Sequence, residues 1–264
     1  MAHSRGRSRP DVDGLVELRG AEGAGEGAVV LVHGLGATGR SFGRLLPLLP
    51  DDAVPVLVEL PRGAAVPDEA AALAHALDDA GVRAATVVGH SRGGAVAVAL
   101  AEARPDLVGR LVLLDTPPTP ASRLTARSPR ERLLAVPGLG RVLWSLAPRA
   151  ALRRGLGTAV ARGTEVPDVL VDDLAATSHR AFVGASASLD DYLAARDLPA
   201  RLATLAPVPV DVVVGTDDQR VDPSSWREPE LPGVRLLRWE GVGHSPAWEA
   251  PQQVARLLAD GAAR

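Results

Sequence analysis

Short stretches of this chain carry side chains that could do covalent chemistry. In Val87-Val88-Gly89-His90-Ser91-Arg92-Gly93-Gly94, the residues Gly89, Ser91 and Gly93 match G-x-S-x-G. A serine between glycines, after a β-branched run and before an alanine-rich one, reads as a nucleophile on a sharp strand-to-helix turn. The helix start that follows brings the Arg92 N–H close to the place where an oxyanion would form. A serine hydroxyl needs a base to take its proton, and the base needs an acid to orient it. The chain supplies both in the order serine, acid, histidine. Asp217, Asp218 and Asp222 crowd one loop after Gly215, and His244 lies in Gly241-Val242-Gly243-His244-Ser245. The plainer readings are an ordinary glycine-rich turn, solvated or capping aspartates, and a surface loop histidine.

A second glycine pattern competes for attention. Gly34-Leu35-Gly36-Ala37-Thr38-Gly39 is literally G-x-G-x-x-G, and Glu59 follows Gly39 by twenty residues. Together these make a dinucleotide fingerprint. Yet Ser91, the aspartates and His244 claim the same sheet edge, and His33 sits where a dinucleotide turn has no use for it. The glycines then serve close backbone approach to a carbonyl oxygen, with no nucleotide cofactor expected. His33 is expected to hydrogen-bond locally and shape that loop. The six histidines contain no H-x-H or H-E-x-x-H pair, so no metal site is expected.

The elements that must position these residues are legible. The apolar runs 29–32, 54–60, 84–89 and 110–115 read as buried parallel strands, and 208–215 and 234–239 add two more. A helix is expected from about Pro67 to Gly81, and another from about Glu249 to Asp260. This alternation predicts an α/β fold with a doubly wound, mostly parallel sheet. Residues 117–200 hold leucine- and alanine-rich helical patterns and no convincing strand, which reads as an inserted helical cap. The expected organisation is a core of residues 13–116 and 201–264, the cap at 117–200, and a disordered segment at 1–12.

Composition narrows the function. The net charge of −3 gives no electrostatic reason to expect nucleic acid. Absence of Cys removes disulfides, thiol nucleophiles and Cys-ligated metals. No apolar run reaches the roughly 18 residues of a membrane span, and no apolar segment follows the basic N-terminus as in a signal peptide. A cytoplasmic protein without membrane partners is expected; nothing speaks to oligomeric state. Aromatic residues make up 3% of the chain, so the core must be built from Val, Leu and Ala. Trp144 and Trp248 are the aromatics that could line a pocket. Between Pro117 and Gly163, nine arginines stand against a single acid, Glu131. That face could favour an anionic carrier-protein or coenzyme A thioester, or be the wet side of amphipathic helices, the reading we favour.

These features resemble the α/β-hydrolase superfamily, in the serine-nucleophile branch with a helical cap, over roughly residues 14–260. The resemblance rests on His33-Gly34, the Gly-His-Ser-Arg-Gly-Gly elbow, Gly215 to Pro223, and Gly243 to Pro251. It implies Ser91, Asp218 and His244 as the catalytic residues, because the family's acid falls three residues after the glycine of its turn. Asp115 is the reserve acid. It also implies an oxyanion hole from the backbone N–H groups of Leu35 and Arg92; His33, Gly34, Trp144 and Trp248 are further candidates for substrate contact, with core packing the favoured reading for the two tryptophans. The reaction implied is acyl transfer from a small or medium carboxylic ester, lactone or thioester to water. A lyase, cyclase, acyltransferase, cofactor-free haloperoxidase or receptor-like module on the same pocket is the alternative. The chain departs from the family in having one N-terminal strand candidate, at 14–19, in place of a hairpin. It also has Glu59-Leu60-Pro61-Arg62-Gly63-Ala64 where the family usually has Asp-Leu-Pro-Gly-x-Gly-x-Ser.

Overall fold

The computed structural model describes residues 16–21, 25, 27–61, 63–227 and 233–262. Seven strands form one sheet: β1 (Glu17–Arg19), β2 (Ala28–Val32), β3 (Val54–Glu59), β4 (Ala85–His90), β5 (Val108–Leu114), β6 (Val210–Gly215) and β7 (Val234–Trp239). Their spatial order is β1-β3-β2-β4-β5-β6-β7, and every pairing is parallel except β1 with β3. The expected strand at 14–19 is thus an antiparallel edge strand from Glu17, and residues 1–12 lie outside the described residues.

Strand chemistry follows from having both faces covered. All residues of β2 and β6 are buried, as parallel strands between helical layers must be. Side chains alternate between two cores with the period of the pleat. Val30 and Val32 face one core, while Val29 and Leu31 face the other. The first core is closed by α1 (Val66–Asp79) and α2 (Arg92–Ala103), the second by the C-terminal helices. Charge enters this sheet at Asp211 of β6, which is buried and pairs with Arg110 of β5 and Arg235 of β7, each at 2.5 Å.

Between β5 and β6 the described residues contain helices and no named strand. They are α3 (Pro129–Leu134), α4 (Leu139–Ser145), α5 (Arg149–Leu156), α6 (Asp168–Ala175), α7 (His179–Ala195) and α8 (Leu198–Leu202). Leu156, Val160, Leu170 and Val171 form a separate small core there. Leu189 and Leu193 of α7, with Leu198 and Leu202 of α8, join the main core beside α2 instead. The insertion therefore returns to the core midway along α7, before residue 200. The expected helix from about Glu249 to Asp260 is α10 (Pro251–Ala262), and the short α9 (Pro246–Glu249) precedes it. Proline at 251 lacks an N–H and pushes Ala250 out of helical geometry, to φ −130° and ψ 50°. No helix among the described residues is long and apolar enough to cross a membrane.

The β4–α2 junction is closely packed. A Cβ on Gly93 would lie 2.3 Å from the Val32 carbonyl oxygen, with backbone on both sides of the clash. Gly93→Ala should therefore lower stability by about 3 kcal/mol in urea denaturation. Gly155→Ala, at a position with open space around it, should change stability by less than about 1 kcal/mol. Equal effects of the two changes would contradict the packing described here.

Candidate active site

Ser91 is the single residue between the end of β4 and the start of α2. Its φ of 52° and ψ of −119° lie in a region that a side-chain-bearing residue avoids. Its N–H donates to the Leu114 carbonyl at 2.8 Å, which pins the turn to β5. The hydroxyl is left pointing into a cleft that encloses about 950 Å³, its open mouth included.

His244 and Asp218 arrive from the loops after β7 and β6. The Ser91 hydroxyl donates to His244 Nε2 at 2.9 Å, and His244 Nδ1–H donates to Asp218 Oδ2 at 2.7 Å. Asp218 Oδ1 accepts from the Arg220 and Val221 backbone N–H groups at 2.7 and 3.1 Å. The acid is thus fixed by its own loop before it touches the imidazole. Both His244 and Asp218 are buried. His90 completes the support by donating from Nε2 to the His244 carbonyl at 2.6 Å. Burial first, and the neighbouring His244 second, push His90 down to about 3, so it serves as a neutral donor.

Asp115, the reserve acid, lies next to this chain of bonds. One ligand atom each from Asp115, Asp218 and His244 lie within 4.8 Å of one another. Asp115 Oδ1 accepts from the Gly215 N–H at 2.8 Å, while Oδ2 has no hydrogen-bond partner among the described residues. Burial, then the charge of Asp218, hold its carboxyl well above the usual carboxylate range. With both His244 nitrogens engaged by Ser91 and Asp218, this trio offers no free imidazole nitrogen to a cation.

The glycine loop packs against the elbow from the other side. A Cβ on Gly34 would sit 3.1 Å from His90 Nδ1 and 3.3 Å from Ser91 Cβ. Leu35 and Arg92 both border the cleft beside Ser91, and no described residue accepts from their N–H groups. His33 Nδ1 donates to the Gly34 carbonyl at 2.9 Å and Nε2 accepts from Leu60 N–H at 3.3 Å. It shapes the loop and does not border the main cleft. Glu59 Oε1 accepts the Gly39 N–H at 3.0 Å, and Thr38 Oγ1 donates to Asp173 at 2.7 Å. Two carboxylates therefore occupy the donors that a literal fingerprint would aim at a diphosphate.

The sequence profile of the alpha/beta hydrolase family matches residues 29–257. The chain belongs to the alpha/beta hydrolase family. It is 31% identical over 247 residues to the pimeloyl-[acyl-carrier protein] methyl ester esterase of Aromatoleum aromaticum, spanning 88% of this chain and 96% of that protein. A match to lipase LipV of Mycobacterium tuberculosis is 40% identical over 99 residues and spans 35% of this chain and 38% of the lipase. The solved structure of N-acyl homoserine lactonase AidH complexed with N-butanoyl homoserine has the same fold, with a TM-score of 0.73 at 18% identity. That superposition covers 94% of this chain and 91% of the lactonase.

Two aromatic expectations divide in this alpha/beta hydrolase. Trp248 borders the cleft. Trp144 does not: its Nε1–H donates to the Thr177 carbonyl at 3.0 Å, and its ring backs Phe182, which faces the cleft in its place. The arginine-rich segment is also less bare than its composition implies. Arg149, Arg153 and Arg123 pair with Asp172, Asp168 and Asp190, acids that lie beyond Gly163.

Sequence reasoning valued Arg92 for its backbone alone. Its buried guanidinium bonds Glu69 of α1, the Ala64 carbonyl at 2.9 Å and the Ala185 carbonyl of α7 at 3.0 Å. The residue after Ser91 is thus tied to three separate elements. Burial pushes Glu69 up to about 7 against the pull of Arg92. A long cation beside two glycines, and an acid at the start of α1, were the available signals. Arg220 and Phe182 of the cleft wall were likewise not singled out, and Arg123 and Glu131 were read only as charges of the arginine-rich segment.

The geometry separates the two acids. Asp218→Asn should lower turnover of a chromogenic ester by about 10⁴-fold, because the imidazole loses its orienting acceptor. Asp115→Asn keeps an oxygen for Gly215 and removes a carboxyl whose ionisation burial already disfavours, so turnover should stay within about tenfold. Equal losses in the two variants would transfer the orienting role to Asp115.

Proposed function

We propose that the protein is a serine hydrolase that cleaves a small or medium carboxylic ester, lactone or thioester through an acyl-enzyme on Ser91. The observation that carries this reading is the unbroken hydrogen-bond chain from Ser91 Oγ through His244 to Asp218. Relatives named as a methyl ester esterase and a lipase support it.

In this mechanism Ser91 Oγ attacks the carbonyl carbon while His244 Nε2 takes its proton. Asp218 stabilises the resulting imidazolium and keeps Nε2 aimed at the oxygen. The new oxyanion accepts from the N–H groups of Leu35 and Arg92. Removing a single donor of this kind costs about 2.7–4 kcal/mol of barrier in a reference protease, so the two N–H groups are a major part of the catalysis. The tetrahedral centre collapses, the alkoxide or thiolate leaves, and His244 returns the proton to it. Water then attacks the acyl carbon with His244 again as base, the acid departs, and the proton goes back to Ser91. The helices between β5 and β6 act as a cap, and Phe182, Leu170 and Leu156 give the acyl group an apolar wall.

Ser91→Ala should fold as the parent does and lose about 10⁵-fold or more in kcat on a panel of esters of graded acyl length. Circular dichroism checks the fold and spectrophotometric turnover checks the loss. Unchanged hydrolysis would remove Ser91 from the mechanism.

A further inference from the structure

The charged side chains of the cleft are not equally compensated. Arg92 has Glu69 and Arg123 has Asp190 as ion partners. Arg220 borders the same cleft, and among the described residues no carboxylate reaches it at ion-pair distance. Its Nε donates to Thr158 Oγ1 at 3.1 Å and Nη2 to the Gly155 carbonyl at 3.3 Å, both neutral acceptors. Nη1 has no acceptor among the described residues. Burial lowers its proton affinity, with Glu131 and Asp218 pulling the other way.

A half-buried cation without a close counter-ion is costly, and an anionic ligand offsets that cost. The position is rigid. The Arg220 N–H donates to Asp218 at 2.7 Å and its carbonyl accepts from Leu124 N–H at 2.8 Å. Glu131, on α3, is the acid that shares the cleft wall, so the local charge is balanced only at longer range. The rest of the wall is mainly apolar, with Leu156, Leu170, Phe182 and Leu189. An apolar slot with one fixed guanidinium and a nucleophile suits a chain that has an ester at one end and an anion at the other.

We propose that Arg220 anchors the carboxylate of the substrate, so that the enzyme prefers half-esters of dicarboxylic acids to neutral esters of the same chain length. The proposal rests on Ser91 being the nucleophile. A bidentate or single charge-assisted bond of this kind corresponds to about 10- to 100-fold in kcat/KM.

The test measures methanol release from monomethyl succinate, glutarate and adipate against methyl butanoate, pentanoate and hexanoate, at neutral pH and low salt. The wild type should favour the half-ester of at least one pair by about tenfold or more. Arg220→Met should cut that ratio by about 10- to 100-fold, Arg220→Lys should keep part of it, and Glu131→Gln should raise it. Because the readout is a ratio, general damage to the fold lowers both esters and leaves it unmoved. Should the methionine variant not fold, the opposite shifts in the lysine and Glu131→Gln variants decide the matter. Neutral esters cleaved as well as every half-ester, or a ratio indifferent to Arg220, would overturn the proposal and leave the serine hydrolase reading standing. If no ester is cleaved, that reading fails by itself. Calorimetric titration of Ser91→Ala with the half-esters then decides the anion site: binding that Arg220→Met abolishes supports it, and no binding overturns it.

Discussion

Ser91 sits at a φ of 52° between a strand that ends and a helix that begins within one residue. A side-chain-bearing residue in such a region costs of order 1–3 kcal/mol, and it persists only where its surroundings over-determine it. Here the surroundings are backbone. A Cβ on Gly89 would fall 2.5 Å from Gly94 Cα, and a Cβ on Gly94 would fall 1.9 Å from Thr116 Oγ1. The first turn of α2 is therefore pressed against β4 and the end of β5, and it admits only glycine there. Residues 95–101 of α2 are alanine, valine and leucine, packed into the same core as α1 and the end of α7. Burial of that helix offsets the strain of the turn.

Around this turn the charges are rationed. Asp218 accepts two backbone N–H groups and the His244 ring. Burial and the charge of Asp218 push the Asp115 carboxyl, a few ångströms away, well above the usual carboxylate range. Two ionised carboxylates side by side in a dry site repel strongly, so ionisation of Asp218 disfavours that of Asp115. On the far side of the elbow, Glu69 and Arg92 are buried as a pair. That pair ties α1 to the residue after Ser91, and the same guanidinium donates to the Ala185 carbonyl of α7. Energetically such a pair is weak evidence for stability; its effect here is geometric, since it fixes the start of α2 beside Ser91 to a neighbouring helix.

How much of this was written in the sequence depends on the range of the interaction. Ser91 was legible because its turn is local, and the two glycines that match G-x-S-x-G are positions where a Cβ would meet backbone at 2.5 and 2.3 Å. His244 and the aspartate loop were legible through chain order and strand ends, but the choice of Asp218 over its neighbours came from family resemblance. Among the described residues Asp218 is the carboxylate that accepts from His244 Nδ1, while its loop feeds it two N–H groups. The last helix was legible from its apolar spacing, and the proline that opens it at 251 marks its start. By contrast, the Arg92–Glu69 pair joins residues 23 positions apart on two helices, and no pattern of spacing announces it. Trp144 was misplaced for the same reason, as its distance from the cleft is set by Phe182, a residue on another helix.

The central claim is that Ser91 is the group that becomes acylated, and trapping it covalently tests this most directly. A fluorophosphonate probe followed by peptide mass spectrometry should find one stoichiometric adduct, on Ser91, appearing in step with loss of ester turnover. An adduct on a different residue, or full inactivation without any adduct at Ser91, would contradict the account.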